Sequence, residues 1–245
     1  ALALFGCIPG STTYRCRLDG DADAASIITS GYLPDWDQQN NPYIYQQKAT
    51  ATQTGSIYGL AYQPASKSLF ASAFFKVDTA FGPAGSGGIY KLDLNTGTLS
   101  TFLDIDAYFG ADYAGPDTVC PGDTCFHQVG QRSLGDLEIS TDGQTLYSVV
   151  IATDELLEIP IGNPPTAPPP PNGISKYAIP KPAECSGTGI ADYVPLGLGT
   201  KNNKVYLSTT CTAQTSQSQA ALRGYIYEFS GGSFTQVLSV DLTYP

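Results

Sequence analysis

The sequence predicts an all-β fold, a β-propeller-like array of four-stranded blades with long disulfide-bearing loops. Three observations lead there. Strand formers dominate: 16 Tyr and 10 Phe stand among abundant Thr, Val and Ile, and 26 Gly and 18 Pro punctuate them. Helical periodicity is almost absent. A hairpin pattern recurs three times along the chain.

The copies are Leu60–Ser72 (LAYQPASKSLFAS), Leu137–Ser148 (LEISTDGQTLYS) and Leu196–Ser208 (LGLGTKNNKVYLS). In each, an apolar residue is followed nine positions later by an apolar–aromatic pair: Leu69-Phe70, Leu146-Tyr147 and Val205-Tyr206. Turn formers lie between, so each copy reads as two alternating strands around a tight turn. A second hairpin follows twice. Gly88–Asp93 leads through Asn95-Thr96-Gly97 into Leu99–Leu103, and Gly224–Phe229 leads through Gly231-Gly232 into Phe234–Leu238. The middle copy keeps a shorter version at Glu155–Ile159. Four strands per copy describe a blade.

The chain divides accordingly. Residues 59–245 carry the blades, with inserts at 104–132, 160–182 and 212–222. The second insert holds NPPTAPPPPNG, expected to be extended polyproline II and unable to pair in a sheet. Residues 1–58 form an N-terminal segment that adds or closes a blade through Ser26–Tyr32 and Tyr43–Ala49. Three blades are explicit, with room for a fourth or fifth. A propeller needs at least four to close, and an incomplete array leaves strand edges that recruit other chains.

Composition bounds the setting. Only 14% of the 245 residues are charged, against roughly 25% in an average soluble domain. The surface must be rich in neutral hydroxyl and amide groups, as outside cells. A net charge of −10 with no basic cluster excludes a nucleic-acid partner. The start at Ala1 and the absence of Met fit a processed, secreted chain. Ala1–Ile8 is apolar but too short to cross a bilayer, so membrane insertion is not expected and a pairing strand is. Six cysteines suggest an oxidising compartment. They allow 15 pairings. Local spacing favours Cys7–Cys16, Cys120–Cys125 and Cys185–Cys211. Zinc is disfavoured, because C-x2-C spacing is missing and His127 is the sole histidine.

A resemblance rests on Tyr58-Gly-Leu-Ala-Tyr-Gln-Pro, Leu69-Phe-Ala-Ser-Ala-Phe-Phe-Lys, Phe81-Gly-Pro, Gly88-Ile-Tyr-Lys-Leu-Asp, Leu134-Gly-Asp-Leu-Glu-Ile-Ser and Cys211-Thr-Ala. Over residues 55–245 the chain resembles the propeller-like head domains of bacterial surface proteins that precede SdrD-B-type repeats. The resemblance implies a bladed fold and an extracellular setting, with no assigned activity.

Candidate chemistry is sparse. Asp19, Asp21 and Asp23 alternate as in calcium loops, although Ala24 and Ser30 break the EF-hand pattern. They are the one candidate metal site, and calcium the one candidate cofactor. Asp104, Asp106, Asp112, Asp117 and Asp123 could pair for glycoside hydrolysis, but acid-rich loops usually serve solubility. Asp136 enters an inner strand, where an axial metal would sit; capping the turn between blades is the preferred role. His127 and Ser133 lack a nucleophile-elbow context. Trp36 with Tyr32, Tyr43 and Tyr45 can stack sugars or fill core. No N-glycosylation sequon occurs, whereas Thr166 among the prolines is a candidate for O-glycosylation.

The expected function is an extracellular structural or adhesive protein, not an enzyme. It self-associates as a homo-oligomer or surface fibre through the apolar N-terminal strand, with glycans as a second class of partner. The alternatives are a lactonase- or hydrolase-like propeller with an axial metal, and a carbohydrate-binding module.

Overall fold

The computed structural model describes residues 25–30, 45–77, 79–119, 123–168, 172–185 and 192–242. Three four-stranded antiparallel sheets follow one another along the chain. Blade 1 contains β3 (Ile57–Gln63), β4 (Ser68–Ala73), β5 (Gly88–Asp93) and β6 (Thr98–Asp104). Blade 2 contains β7 (Leu134–Ile139), β8 (Thr145–Val150), β9 (Glu155–Pro160) and β10 (Ser175–Ala178). Blade 3 contains β11 (Tyr193–Lys201), β12 (Lys204–Cys211), β13 (Arg223–Ser230) and β14 (Ser233–Asp241). Sequence neighbours are sheet neighbours in every blade. This is the bladed all-β array that the repeat requires. Before it stands a two-stranded ribbon of β1 (Ala25–Ser30) and β2 (Tyr45–Thr50), followed by a single turn, α1 (Ala51–Thr54).

The first strands β3, β7 and β11 lie side by side, with β7 between the other two. The blades therefore stack face to face around their inner strands. One apolar layer joins blades 1 and 2 through Phe70, Ile89, Leu103, Leu137, Leu146 and Leu157. A second joins blades 2 and 3 through Val149, Ile151, Leu156, Leu207, Tyr225 and Phe229. A third places Ile27 and Ala49 of the ribbon against Ile57, Leu69, Ala71 and Leu92 of blade 1. Burial along the strands follows from this stacking. β4 is covered on both faces and all six of its residues are buried, while β14 is exposed along most of its length. At roughly 25 cal/mol per Å² of apolar area, these layers are the main favourable contribution to folding.

The proline-rich stretch differs from the expectation in one respect. Residues 175–178, inside the stretch 160–182 read as an insert, form β10 and complete blade 2 by pairing with β9. The physical reason is local: the prolines end at Pro171, and Ser175-Lys176-Tyr177-Ala178 again offer backbone N–H groups to the ladder. In the first insert, β6 runs into α2 (Ile105–Phe109), which is capped by Asp104, and a 3-10 turn covers Asp123–Gln128.

Cys185 and Cys211 are joined, with Cα atoms 5.0 Å apart, one of the three pairings expected from spacing. The bond ties the segment before β11 to the end of β12. Closing a loop of 26 residues stabilises by about 3–4 kcal/mol in the chain-entropy account. Cys125 is also disulfide-bonded. Cys7, Cys16 and Cys120 lie outside the described residues.

Candidate functional site

The axis where β3, β7 and β11 meet is built by one local device used three times. Each inner strand carries a β-bulge opposite its partner: between Ile57 and Leu60, between Leu134 and Leu137, and between Pro195 and Gly197. A bulge kinks a strand and re-aims its groups. Gly59, Asp136 and Gly197 occupy equivalent places in the three bulges. In blade 1, a Cβ on Gly59 would lie 2.5 Å from the backbone nitrogen of Leu137, so only glycine lets the strands approach this closely. Ser72 Oγ accepts from the Gly59 N–H at 3.1 Å and donates across to the Gly135 carbonyl at 2.7 Å.

In blade 2 the same place is Asp136. Its carboxylate accepts the N–H of Leu198 in blade 3 at 3.0 Å and that of Leu137 in its own strand at 2.9 Å. The N–H of Leu60 in blade 1 also favours its charged form. One carboxylate thus connects all three blades. Burial pushes its pKa up, and the three N–H groups hold the rise in check. Glu138, two residues along β7, is likewise raised by burial and accepts the Thr200 hydroxyl at 3.1 Å. Gln63, wholly buried, adds a second stitch from blade 1 to the Gly143 and Gly162 carbonyls of blade 2 at 2.5 and 2.8 Å.

The other predicted residues fall elsewhere. Asp104 caps α2 through the Ala107 N–H at 3.0 Å. Asp106 accepts from the Ala114 N–H and the Ser86 hydroxyl, and Asp117 from the Ser86 N–H. These carboxylates staple loops. Ser133 is fully buried with its hydroxyl on the Ala73 and Ser86 carbonyls, while His127 is exposed on the 3-10 turn. Asp19, Asp21, Asp23, Tyr32, Trp36 and Tyr43 lie outside the described residues. Among the described residues, no three His, Cys, Asp or Glu side chains converge as a metal cluster would require. Thr166 is exposed.

Two features escaped sequence reading. Arg132 stacks its guanidinium 3.7 Å from the Phe75 ring centroid and donates to Pro116 and Thr118. Asp154, in the turn between β8 and β9, has one carboxylate oxygen buried without a hydrogen bond, and burial raises its pKa to about 6 against the pull of Lys181. No pattern in the chain marks either residue.

Fold and axis together define a bladed module whose central polar groups join blade to blade. No family model matches the chain. It is 30% identical over 235 residues to Colossin-D of Dictyostelium discoideum, covering 93% of this chain and 24% of that protein. It is 27% identical over 201 residues to Colossin-A of the same organism, covering 78% of this chain and 2% of that protein. The chain thus spans a quarter or less of the length of these relatives. They are eukaryotic, which corrects the bacterial resemblance: blade 2 completes four strands with ELLEIP in place of I-Y-x-L-D, so the motif that carried the resemblance is not a mark of lineage. Among solved structures, a luciferin-regenerating enzyme matches 81% of this chain and 51% of its own at 10% identity and a TM-score of 0.45. A periplasmic gluconolactonase of Pseudomonas aeruginosa matches 78% and 44% at 14% identity and a TM-score of 0.40.

Proposed function

We propose that this chain is a structural or adhesive module that works outside the cell, without catalysis, and associates with copies of itself. The observation that carries this reading is Asp136. The carboxylate at the axis, where a bladed array would do chemistry, serves backbone N–H groups of its own strand and of both neighbouring blades. The buried disulfide and the low charge content support an extracellular setting. Calcium at Asp19, Asp21 and Asp23, a sugar on Thr166, glycan partners and a pairing role for residues 1–8 belong to the same proposal.

The test is Asp136→Asn, studied beside the parent chain. An amide can accept only through one atom and turns an N–H toward a donor, so a loss of about 1–3 kcal/mol in chemical denaturation is expected. The parent should hydrolyse no lactone in a substrate panel, and calcorimetric calcium titration should be the same for both chains. Lactone hydrolysis by the parent that Asp136→Asn abolishes would establish the hydrolase reading instead.

A further inference from the structure

The blade-on-blade interface is built twice within the chain, and its receiving half is built a third time with none of the described residues packed on it. In blade 1 the face toward blade 2 consists of Gly59, Phe70, Ser72, Ile89, Phe102 and Leu103, all sealed by blade 2 or its own sheet. Register assigns each an equivalent in blade 3. Ile89 pairs with Leu103 as Ile226 pairs with Leu238, and both pairs precede a bulge that releases one residue, Phe102 or Val237. Ser208 Oγ accepts from the Gly197 N–H at 3.1 Å, as Ser72 does from Gly59. The sequel differs. Ser72 donates to the next blade, whereas Ser208 is exposed and reaches only the carbonyl of Gly197 itself, at 3.4 Å. A Cβ on Gly59 would strike the neighbouring backbone, but one on Gly197 would meet only Ser208. Val237, Leu238 and Val240 are 50%, 46% and 44% exposed.

We infer that this face of blade 3 is the contact through which two copies of the chain pair, each presenting the same face about a twofold axis. The inference rests on the reading of the chain as a self-associating module, and names its surface. Among the described residues, a second copy has no other blade face to offer. Blade 1 covers the near face of blade 2, blade 2 that of blade 3, and the ribbon that of blade 1. A surface that meets itself closes at two. One ion pair lies on the face: Lys204 is 2.7 Å from Glu228, which also binds the Tyr206 hydroxyl, and Lys201 stands opposite Lys204 in the ladder. The face thus carries two lysines and one glutamate, near neutral in a chain whose net charge is −10. Four strands about 4.8 Å apart and roughly seven residues long offer about 450 Å² per copy. Some 900 Å² in total sits just below the standard range for specific interfaces, so a weak, reversible dimer is expected.

Sedimentation of the full chain between about 1 and 300 μM tests this, with Leu238→Glu and Val240→Lys as separate variants at exposed positions. The parent should dimerise, and each variant should weaken the dimer at least tenfold with an unchanged thermal midpoint. Variants that associate as the parent does would overturn the inference while leaving self-association through another surface. A parent that stays monomeric at 300 μM would overturn the inference and the self-association part of the proposed function together.

Discussion

Blade 1 and blade 3 present the same face with opposite fates. Phe70, Ser72, Ile89 and Leu103 are sealed against blade 2, while their equivalents Tyr206, Ser208, Ile226 and Leu238 stand partly or largely open. The residue types shift with the cover. Phenylalanine becomes tyrosine, a ring with a polar tip that binds Glu228, while Ile226 and Leu238 stay aliphatic. A face meant only for water would have replaced those aliphatic positions too. What the difference teaches is that burial in this fold is set by the neighbouring blade rather than by the strand's own sequence.

The largest expected effect breaks the comparison at its aromatic position. Phe70→Ala empties a site with no exposure, beside Phe102 at a ring-centroid distance of 4.9 Å, and should cost about 3–5 kcal/mol in denaturant unfolding. Tyr206→Ala, at the equivalent place, should cost under about 1 kcal/mol. Similar losses would mean that blade 3 is covered as blade 1 is.

A smaller effect sharpens the picture inside the covered region, where two buried carboxylates differ in partners. Asp136 has three N–H donors, but Asp154 leaves one oxygen unbonded and keeps its proton up to about pH 6, whereas an ordinary Asp releases it near 3.8. Between those values the folded chain binds more protons than the unfolded one. The contribution of Asp154 to stability therefore falls as pH rises from about 4 to about 6 and is level above. Asp154→Asn should flatten that slope and stabilise the chain at pH 7 by about 1 kcal/mol, a figure already reduced for solvent screening. Thermal midpoints of both chains at pH 4.5 and 7 check this; an unchanged difference between the two pH values would dismiss Asp154 as the source.

Much of the fold was legible in the chain because alternation, turns and the apolar–aromatic pair are local. The hairpins lie where the repeat puts them. β10 was hidden because four residues after a proline run give no alternation to count. The equivalence of positions was misread by a residue or two. The nine-residue spacing aligns Leu60, Leu137 and Leu196, but the hairpin loops differ, with Asn202 and Asn203 alone turning blade 3. Bulges absorb the difference, so Gly59, Asp136 and Gly197 are the true counterparts. Spacing and sheet agree for blades 1 and 2, where Val149 matches Ser72; the offset is confined to blade 3, whose Leu198 rather than Leu196 stands where Leu60 does. The turn-bracing role preferred for Asp136 came from chemistry, but its bonds to strands 62 residues and more away could not be read from a chain alone.

The most direct test of the account is a matched pair of glycine substitutions. Gly59→Ala places a Cβ 2.5 Å from the backbone of blade 2, which cannot move without parting the blades, whereas Gly197→Ala meets only the hydroxyl end of Ser208 at 2.7 Å. Thermal and denaturant unfolding should show Gly59→Ala destabilised by about 3 kcal/mol or more and Gly197→Ala by about 1 kcal/mol or less. Equal losses in the two variants would contradict the claim that one face is sealed and its twin is open.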